Sequence, residues 1–319
     1  MSILNGGKCS VESLSISEQK EYYEKLRNQC LALRDRQFNF GQSMISGAYP
    51  FIRNYGIELE GEENVPIGTN VLFVANHSNS HDIFTAYEMF SMLQRMGSVM
   101  VATDCLNPFT TEIFNISNAT LFDRNNKSER GNSVLSLSSK IINGNDGLIF
   151  GEGTWNLHPT LPMHNIRNGS SKISLISQVP IVPVIFEYIE SPSIVTTEKN
   201  LIDKCVIRFG APIVIDYGKD LSSQSNNIKK CMADMRKAIW SDYGITRHSI
   251  DDVDPLMYVN HTYMKKFKAL GFKYNSKLEQ EHLLFLNNEP RENEYTINEQ
   301  GDFVPGITEK GFELKKLFK

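Results

Sequence analysis

The sequence predicts an α/β domain over roughly residues 55–245. Three observations predict it: apolar runs of strand length recur along the chain, segments with helically spaced apolar residues lie between them, and turn residues separate the two. Of 319 residues 40% are apolar, enough for one large core or two small ones. With 33 basic and 37 acidic residues the net charge is −4, so the chain is not of the disordered class and has no basic excess for general nucleic-acid binding.

Residues 1–14 are expected to be a loose leader. A capping-box pattern, Ser15-Ile16-Ser17-Glu18, then opens an amphipathic helix to about Arg36, with Tyr22, Tyr23, Leu26, Cys30 and Leu33 on one face. That face either packs on the fold or lies on a membrane surface. Together these form an N-terminal segment, residues 1–54. From Gly56 to Gly61 the alternation of Ile57 and Leu59 predicts a strand, and Asn64-Val65-Pro66 with Gly68 a turn. Val71–Ala75 is continuously apolar, as a strand buried on both faces must be. Ile83–Met92, Ser133–Ile142 and Ile228–Ile239 have helical spacing. Further buried strands are predicted at Val99–Thr103, Leu148–Phe150, Ile181–Phe186 and Val206–Phe209. Residues 246–319 are more polar, with aromatic clusters but no strong periodicity, and form an appended extension without a readable role.

No apolar stretch reaches the ~18–20 residues that span a bilayer, and the N-terminus lacks the charged-then-apolar order of an export signal. The 5 cysteines are scattered without a C-x-x-C pair, as expected of reduced thiols in the cytoplasm.

Four clusters carry chemistry. Asn76-His77-Ser78-Asn79-Ser80-His81-Asp82 lies where a buried strand ends and a helix begins, the edge at which α/β sheets hold ligands. A turn over this spacing can return the Asp82 carboxylate to His77, fixing the tautomer and making the other ring nitrogen a base. The same two residues would also serve as a plain helix start. His77 and His81, four apart, would ligate zinc only with a third ligand such as His158 or His164, and no H-E-x-x-H pattern supports that, so no metal is expected. In the second cluster, Leu121-Phe122-Asp123-Arg124, the arginine can hold a phosphate or carboxylate, or belong to a solvated charge run. The third, Phe150-Gly151-Glu152-Gly153-Thr154-Trp155-Asn156, follows a strand, and its glycines let backbone approach a ligand, or simply make a tight turn. It fits neither nucleotide-binding glycine pattern, and no G-x-S-x-G occurs in the chain. The fourth is Val179-Pro180-Ile181-Val182-Pro183-Val184, whose prolines predict an edge strand or a strand start.

In this order the clusters resemble the motifs of the phospholipid/glycerol acyltransferase family. N-H-x-x-x-x-D is matched by Asn76, His77 and Asp82, and an aromatic-Asp-Arg ending by Phe122-Asp123-Arg124. Phe150 to Asn156 stands in place of F-P-E-G-T-R-S, and Val179 to Val184 matches the last motif. Gly61 with Asn64-Val65-Pro66, and Phe209-Gly210-Ala211-Pro212-Ile213, resemble the family's flanking segments. The resemblance covers about residues 55–240.

It implies a mixed, largely parallel sheet flanked by helices, and an O-acyltransferase with no cofactor beyond its co-substrate, an acyl-CoA or acyl-carrier-protein thioester. His77 would deprotonate a hydroxyl acceptor, with Asp82 orienting the ring, while Arg124, Glu152, Gly153, Thr154 and Trp155 would surround the acceptor. A (lyso)glycerophosphate-type lipid is the expected acceptor. Trp155 and Asn156 stand where the family has arginine and serine, which removes a charge-assisted contact and keeps a saccharide or metabolite hydroxyl open as an alternative. Arg124 and Arg167 are left to hold a phosphate. A non-catalytic acyl-carrier or lipid-binding module is the alternative from another class, though it would not need both His77 and Asp82. Many family members have a membrane-spanning N-terminal segment. The charged helix at 15–36 stands there instead, so the expected place is the cytoplasm, in solution or in peripheral contact with the inner membrane face.

Overall fold

The computed structural model describes residues 11–32, 40–53, 55–79, 81–103, 106, 108–124, 126–153, 155–156, 162–190, 202–245, 296–297 and 303–304. In chain order the elements are α1 (Ile16–Ala32), α2 (Phe40–Ile52), β1 (Gly56–Glu60), β2 (Leu72–Ala75), α3 (Asp82–Met92), β3 (Gly97–Ala102), α4 (Pro108–Ile116) and β4 (Thr120–Phe122). They continue with α5 (Lys127–Ile142), β5 (Asp146–Phe150), α6 (Gly169–Ser177), β6 (Ile181–Glu190), β7 (Ile202–Phe209) and α7 (Leu221–Asp242). A two-stranded pair, β8 (Thr296–Ile297) and β9 (Phe303–Val304), is all that is described of the extension.

Seven strands form one mixed sheet in the order β1-β7-β6-β2-β5-β3-β4. The five from β6 to β4 run parallel, β7 is antiparallel to β6, and β1 is parallel to β7. Both faces are covered. On one, Phe73 and Ala75 of β2 meet Tyr49 of α2, Tyr87 of α3 and Phe114 of α4. On the other, Leu72 and Val74 meet Cys30 of α1, Leu137 of α5, Ile173 of α6 and Ile228 of α7. Successive residues of β2 thus enter opposite cores, which is why its sequence is apolar without alternation.

The predicted capping box is present: Ser15 N–H donates to Glu18 Oε2 at 2.9 Å, and Glu18 N–H to Ser15 Oγ at 3.3 Å. One face of α1 packs on the fold through buried Tyr23 and Cys30. Four elements carry no sequence signal strong enough to predict. α2 contains Pro50, β4 is three residues long, and α4 and α6 have nine residues each.

The prolines of β6 require a correction: the strand is interior, between β7 and β2. Pro180 stands at its start, but Pro183 pairs with Val74 in mid-strand. Its carbonyl accepts from Gly210 N–H at 2.8 Å, while Ile181 bridges to Ile213, where an unbroken ladder would bring Pro212. The β7 chain therefore carries one extra residue opposite Val182, next to Pro183, and the missing N–H falls beside the point where the ladder is interrupted.

The two flanking segments dock on each other. Asn64 Nδ2 donates to Phe209 O at 3.0 Å, and Gly61, at φ 75°, leaves room where a Cβ would sit 2.6 Å from that same oxygen.

Gly97 begins β3 under the buried ring of Phe90, where a Cβ would lie 2.2 Å from ring carbon. Gly97→Ala is expected to destabilise the protein by ~1–3 kcal/mol. Gly56→Ala, with no atom within 4 Å of the added methyl, should stay within about 0.5 kcal/mol of the parent. Urea midpoints of the two variants check the pair.

Candidate active site

β2 and β5 are parallel neighbours with Ala75 opposite Phe150, so their carboxyl ends deliver His77 and the Gly151-Glu152-Gly153 turn side by side. Asn76 ends β2 with its side chain acting as backbone: Nδ2 donates to Phe186 O at 3.0 Å and Oδ1 accepts from Phe186 N–H at 2.7 Å. This pins the chain to β6 while the main chain turns away.

The turn from His77 to Asp82 closes on one carboxylate oxygen. Asp82 Oδ2 lies 2.7 Å from His77 Nδ1 and accepts from the N–H groups of Ser78 at 2.8 Å and Asn79 at 2.9 Å. Asp82 is the first residue of α3, yet these bonds run back to the preceding loop. The pair is thus built as an acid–imidazole couple and not as a plain cap. Asp82 is fully buried and the His77 side chain is 13% exposed. Phe150 stacks on the imidazole at 4.1 Å between centroids, and Trp155 tilts over it at 5.3 Å.

With Nδ1 engaged by a carboxylate, Nδ1 carries the proton and Nε2 presents its lone pair. Among the described residues Nε2 has no hydrogen-bond partner. Burial pulls the proton affinity of His77 below its ordinary value, Asp82 works against that, and the charge of Arg124 lowers it further. The ring is therefore held neutral.

A cavity of about 180 Å³ opens in front of His77. Arg124, Gly153 and Trp155 line it with His77, as do Phe150 and Arg167. Arg124 follows β4 and is steadied by the start of α5: Asn126 Oδ1 accepts from Ser128 N–H at 3.0 Å, and Arg130 donates to Arg124 O at 3.0 Å. Its Nη1 donates to Gly153 O at 3.1 Å. Thr154 lies outside the described residues. So does His158, while His81 Nδ1 lies 2.7 Å from Tyr49 Oη. Among the described residues no three His, Cys, Asp or Glu side chains cluster as metal ligands.

Glu152 is placed otherwise than the resemblance implies. It is not among the cavity-lining residues, and its carboxylate accepts from the N–H groups of His77 at 3.0 Å and His164 at 2.8 Å, in full burial. It supports the main chain at His77. Nothing in the local sequence distinguishes a glutamate that binds backbone from one that binds a ligand. Val134 and Ile173 also line the cavity without a signal in the sequence, because apolar residues in a helix announce only burial.

Burial pushes the Glu152 carboxyl up to about 7 from an ordinary 4.5, the two amide hydrogen bonds notwithstanding. With the folded value raised, the unfolded chain releases the proton first, so this group's contribution to stability falls as pH rises from 4.5 to about 7. Glu152→Gln, which cannot ionise, should flatten that fall in urea midpoints measured across the range. Glu152→Ala should instead cost ~1–3 kcal/mol for each amide left unpaired.

Residues 56–187 match the family model described as Acyltransferase. No curated protein sequence matches the chain. Among solved structures the chain is similar to the 1-acyl-sn-glycerophosphate (LPA) acyltransferase PlsC from Thermotoga maritima, at 16% identity and a TM-score of 0.48, over 72% of this chain and 91% of that one. The matched residues run from β1 into β6 and include His77, Asp82, Arg124 and the β5 turn, so over this stretch the chain is similar to the proteins of that family model.

Proposed function

We propose that the protein moves a fatty acyl group from an acyl-CoA or acyl-carrier-protein thioester to the hydroxyl of a (lyso)glycerophosphate-type lipid. The observation that carries this reading is the 2.7 Å His77–Asp82 contact at the wall of a cavity that also holds Arg124. Nε2 of His77 takes the hydroxyl proton as the oxygen attacks the thioester carbonyl. Asp82, bound to Nδ1–H, stabilises the imidazolium so formed. The tetrahedral intermediate collapses, the carbon–sulfur bond breaks, and the thiolate leaves with the proton that His77 carried. No acyl-enzyme is needed, and the thioester is the only co-substrate.

A lipid acceptor supports work at a bilayer surface by peripheral contact, since substrate and product both reside there. Among the described residues no helix is long and apolar enough to cross a membrane. Trp155 favours a second reading. Its indole face beside His77 suits a sugar ring as well as a glycerol backbone, so a saccharide or metabolite hydroxyl is the competing acceptor.

His77→Ala is expected to lower transfer by on the order of 10²–10⁴-fold, with thioester binding retained. Asp82→Asn should lower kcat by a comparable factor, because the tautomer and the imidazolium both lose support. Product masses from a panel of acyl thioesters with lysophospholipid and saccharide acceptors test the reaction and choose the acceptor. Normal turnover by the His77 variant would defeat the mechanism. In the parent enzyme kcat/KM should fall as pH drops through a midpoint below histidine's ordinary 6.5, the protonated ring being inactive.

A further inference from the structure

We infer that Tyr188 is a positioning residue for the acid–imidazole pair: its hydrogen bond to Thr85 ties the first turn of α3, and Asp82 with it, to β6. This inference rests on the acyl-transfer reading above and adds to it a residue outside the four sequence clusters.

The two halves of the pair are held by different parts of the fold. His77 is fixed from β5: its N–H donates to Glu152 Oε1 at 3.0 Å, and its carbonyl accepts from Asn156 N–H. Asp82 has no such tie. The hydrogen bonds of its carboxylate run through Oδ2 to its own loop, while Oδ1, also buried, makes none among the described residues. The carboxylate therefore sits where the start of α3 puts it. The 2.7 Å contact with Nδ1 depends on how that helix start is placed against the sheet.

β6 supplies the placement. The main chain of Phe186 binds the Asn76 side chain, which fixes the beginning of the loop. Two residues further along β6, Tyr188 Oη donates to Thr85 Oγ1 at 3.0 Å. Thr85 is fully buried and stands three residues beyond Asp82, on the same side of α3. Its N–H donates to His81 O at 2.9 Å, closing the first turn.

The hydroxyls continue to the other flank of the loop. Tyr55 Oη lies 3.4 Å from Thr85 Oγ1 and 2.6 Å from Tyr49 Oη, which lies 2.7 Å from His81 Nδ1. The chain thus returns to the residue before Asp82 and joins α2, α3 and β6. Burial holds the Tyr55 and Tyr188 hydroxyls protonated, and the charge of Asp82 adds to that, so both lie within its field. A satisfied polar network in a core rigidifies its surroundings and specifies one geometry. Here that geometry is the seat of the carboxylate.

The test measures kcat and KM across pH with an acyl-CoA and lysophosphatidate, and titrates the His77 ring by NMR in protein labelled with ¹⁵N-histidine, its signal assigned by loss in His77→Ala. In Tyr188→Phe kcat is expected to fall by on the order of tenfold to a hundredfold with both KM values unchanged, since the pair is misplaced and the pocket is not. Burial lowers the proton affinity of His77 and Asp82 opposes this, so a loosened pair titrates at lower pH. The acid limb of kcat/KM and the NMR midpoint should both move down. Thr85→Val removes the other partner of the same bond and should give the same shift, with the double variant no worse than either single one. Thr85→Ser, which keeps a hydroxyl, should titrate like the parent. The charged groups around His77, namely Asp82, Arg124, Arg167 and Glu152, are retained in every variant, so the shift reports the acid–imidazole bond. An NMR midpoint unmoved in Tyr188→Phe or in Thr85→Val overturns the inference whatever the activity. A raised KM with kcat unchanged also overturns it, and would assign Tyr188 to substrate binding. Absence of transfer by the parent would defeat the acyl-transfer reading instead, and the titration would still decide the tie.

Discussion

Asp82 Oδ2 accepts hydrogen bonds from one imidazole and two main-chain amides, all between 2.7 and 2.9 Å, in complete burial. Each bond does separate work. The amides of Ser78 and Asn79 fold the loop after β2 into a turn, and the imidazole bond chooses the tautomer of His77. A buried carboxylate is costly unless donors match it, and the interactions that shape the loop are those donors. Loop geometry and proton chemistry are therefore one constraint, and the rest of the site is arranged around it.

Glu152, on the neighbouring strand's turn, complements Asp82. Its two oxygens reach the amides of His77 and His164, joining the loop after β2 to the segment that leads into α6. Around the same turn Asn156 N–H donates to His77 O at 2.5 Å and Arg167 N–H to Gly151 O at 2.9 Å. His77 and Arg167 are consequently held by one short stretch at the end of β5, although 90 residues separate them in sequence. Parallel pairing of β2 with β5 makes this possible, since it brings both carboxyl ends to one edge of the sheet.

The long strands are legible because their side chains enter apolar cores, which leaves a pattern in any sequence. Val71–Ala75 and Ile181–Phe186 are examples, and β2 and β6 lie there. β4 and α6 are not legible, since three or nine residues give too little periodicity to separate from background. The interior position of β6 cannot be read from Pro183, because the extra residue that excuses the proline lies on the β7 chain, some 30 residues on.

His77 and Asp82 are legible as a pair because their spacing is local: one turn brings them together whatever the rest of the chain does. The sequence by itself determined the strand–helix alternation, the acid–imidazole pair, and the acyltransferase motifs in their order, all properties of neighbours or of short-range periodicity. Only the tertiary structure decided that Glu152 faces main-chain amides, that Trp155 and Phe150 flank the imidazole, and that Arg167 and Arg124 both reach Gly153. Those contacts join segments distant along the chain, and the direction in which a side chain points from a turn is set by the sheet beneath it, which no local pattern encodes.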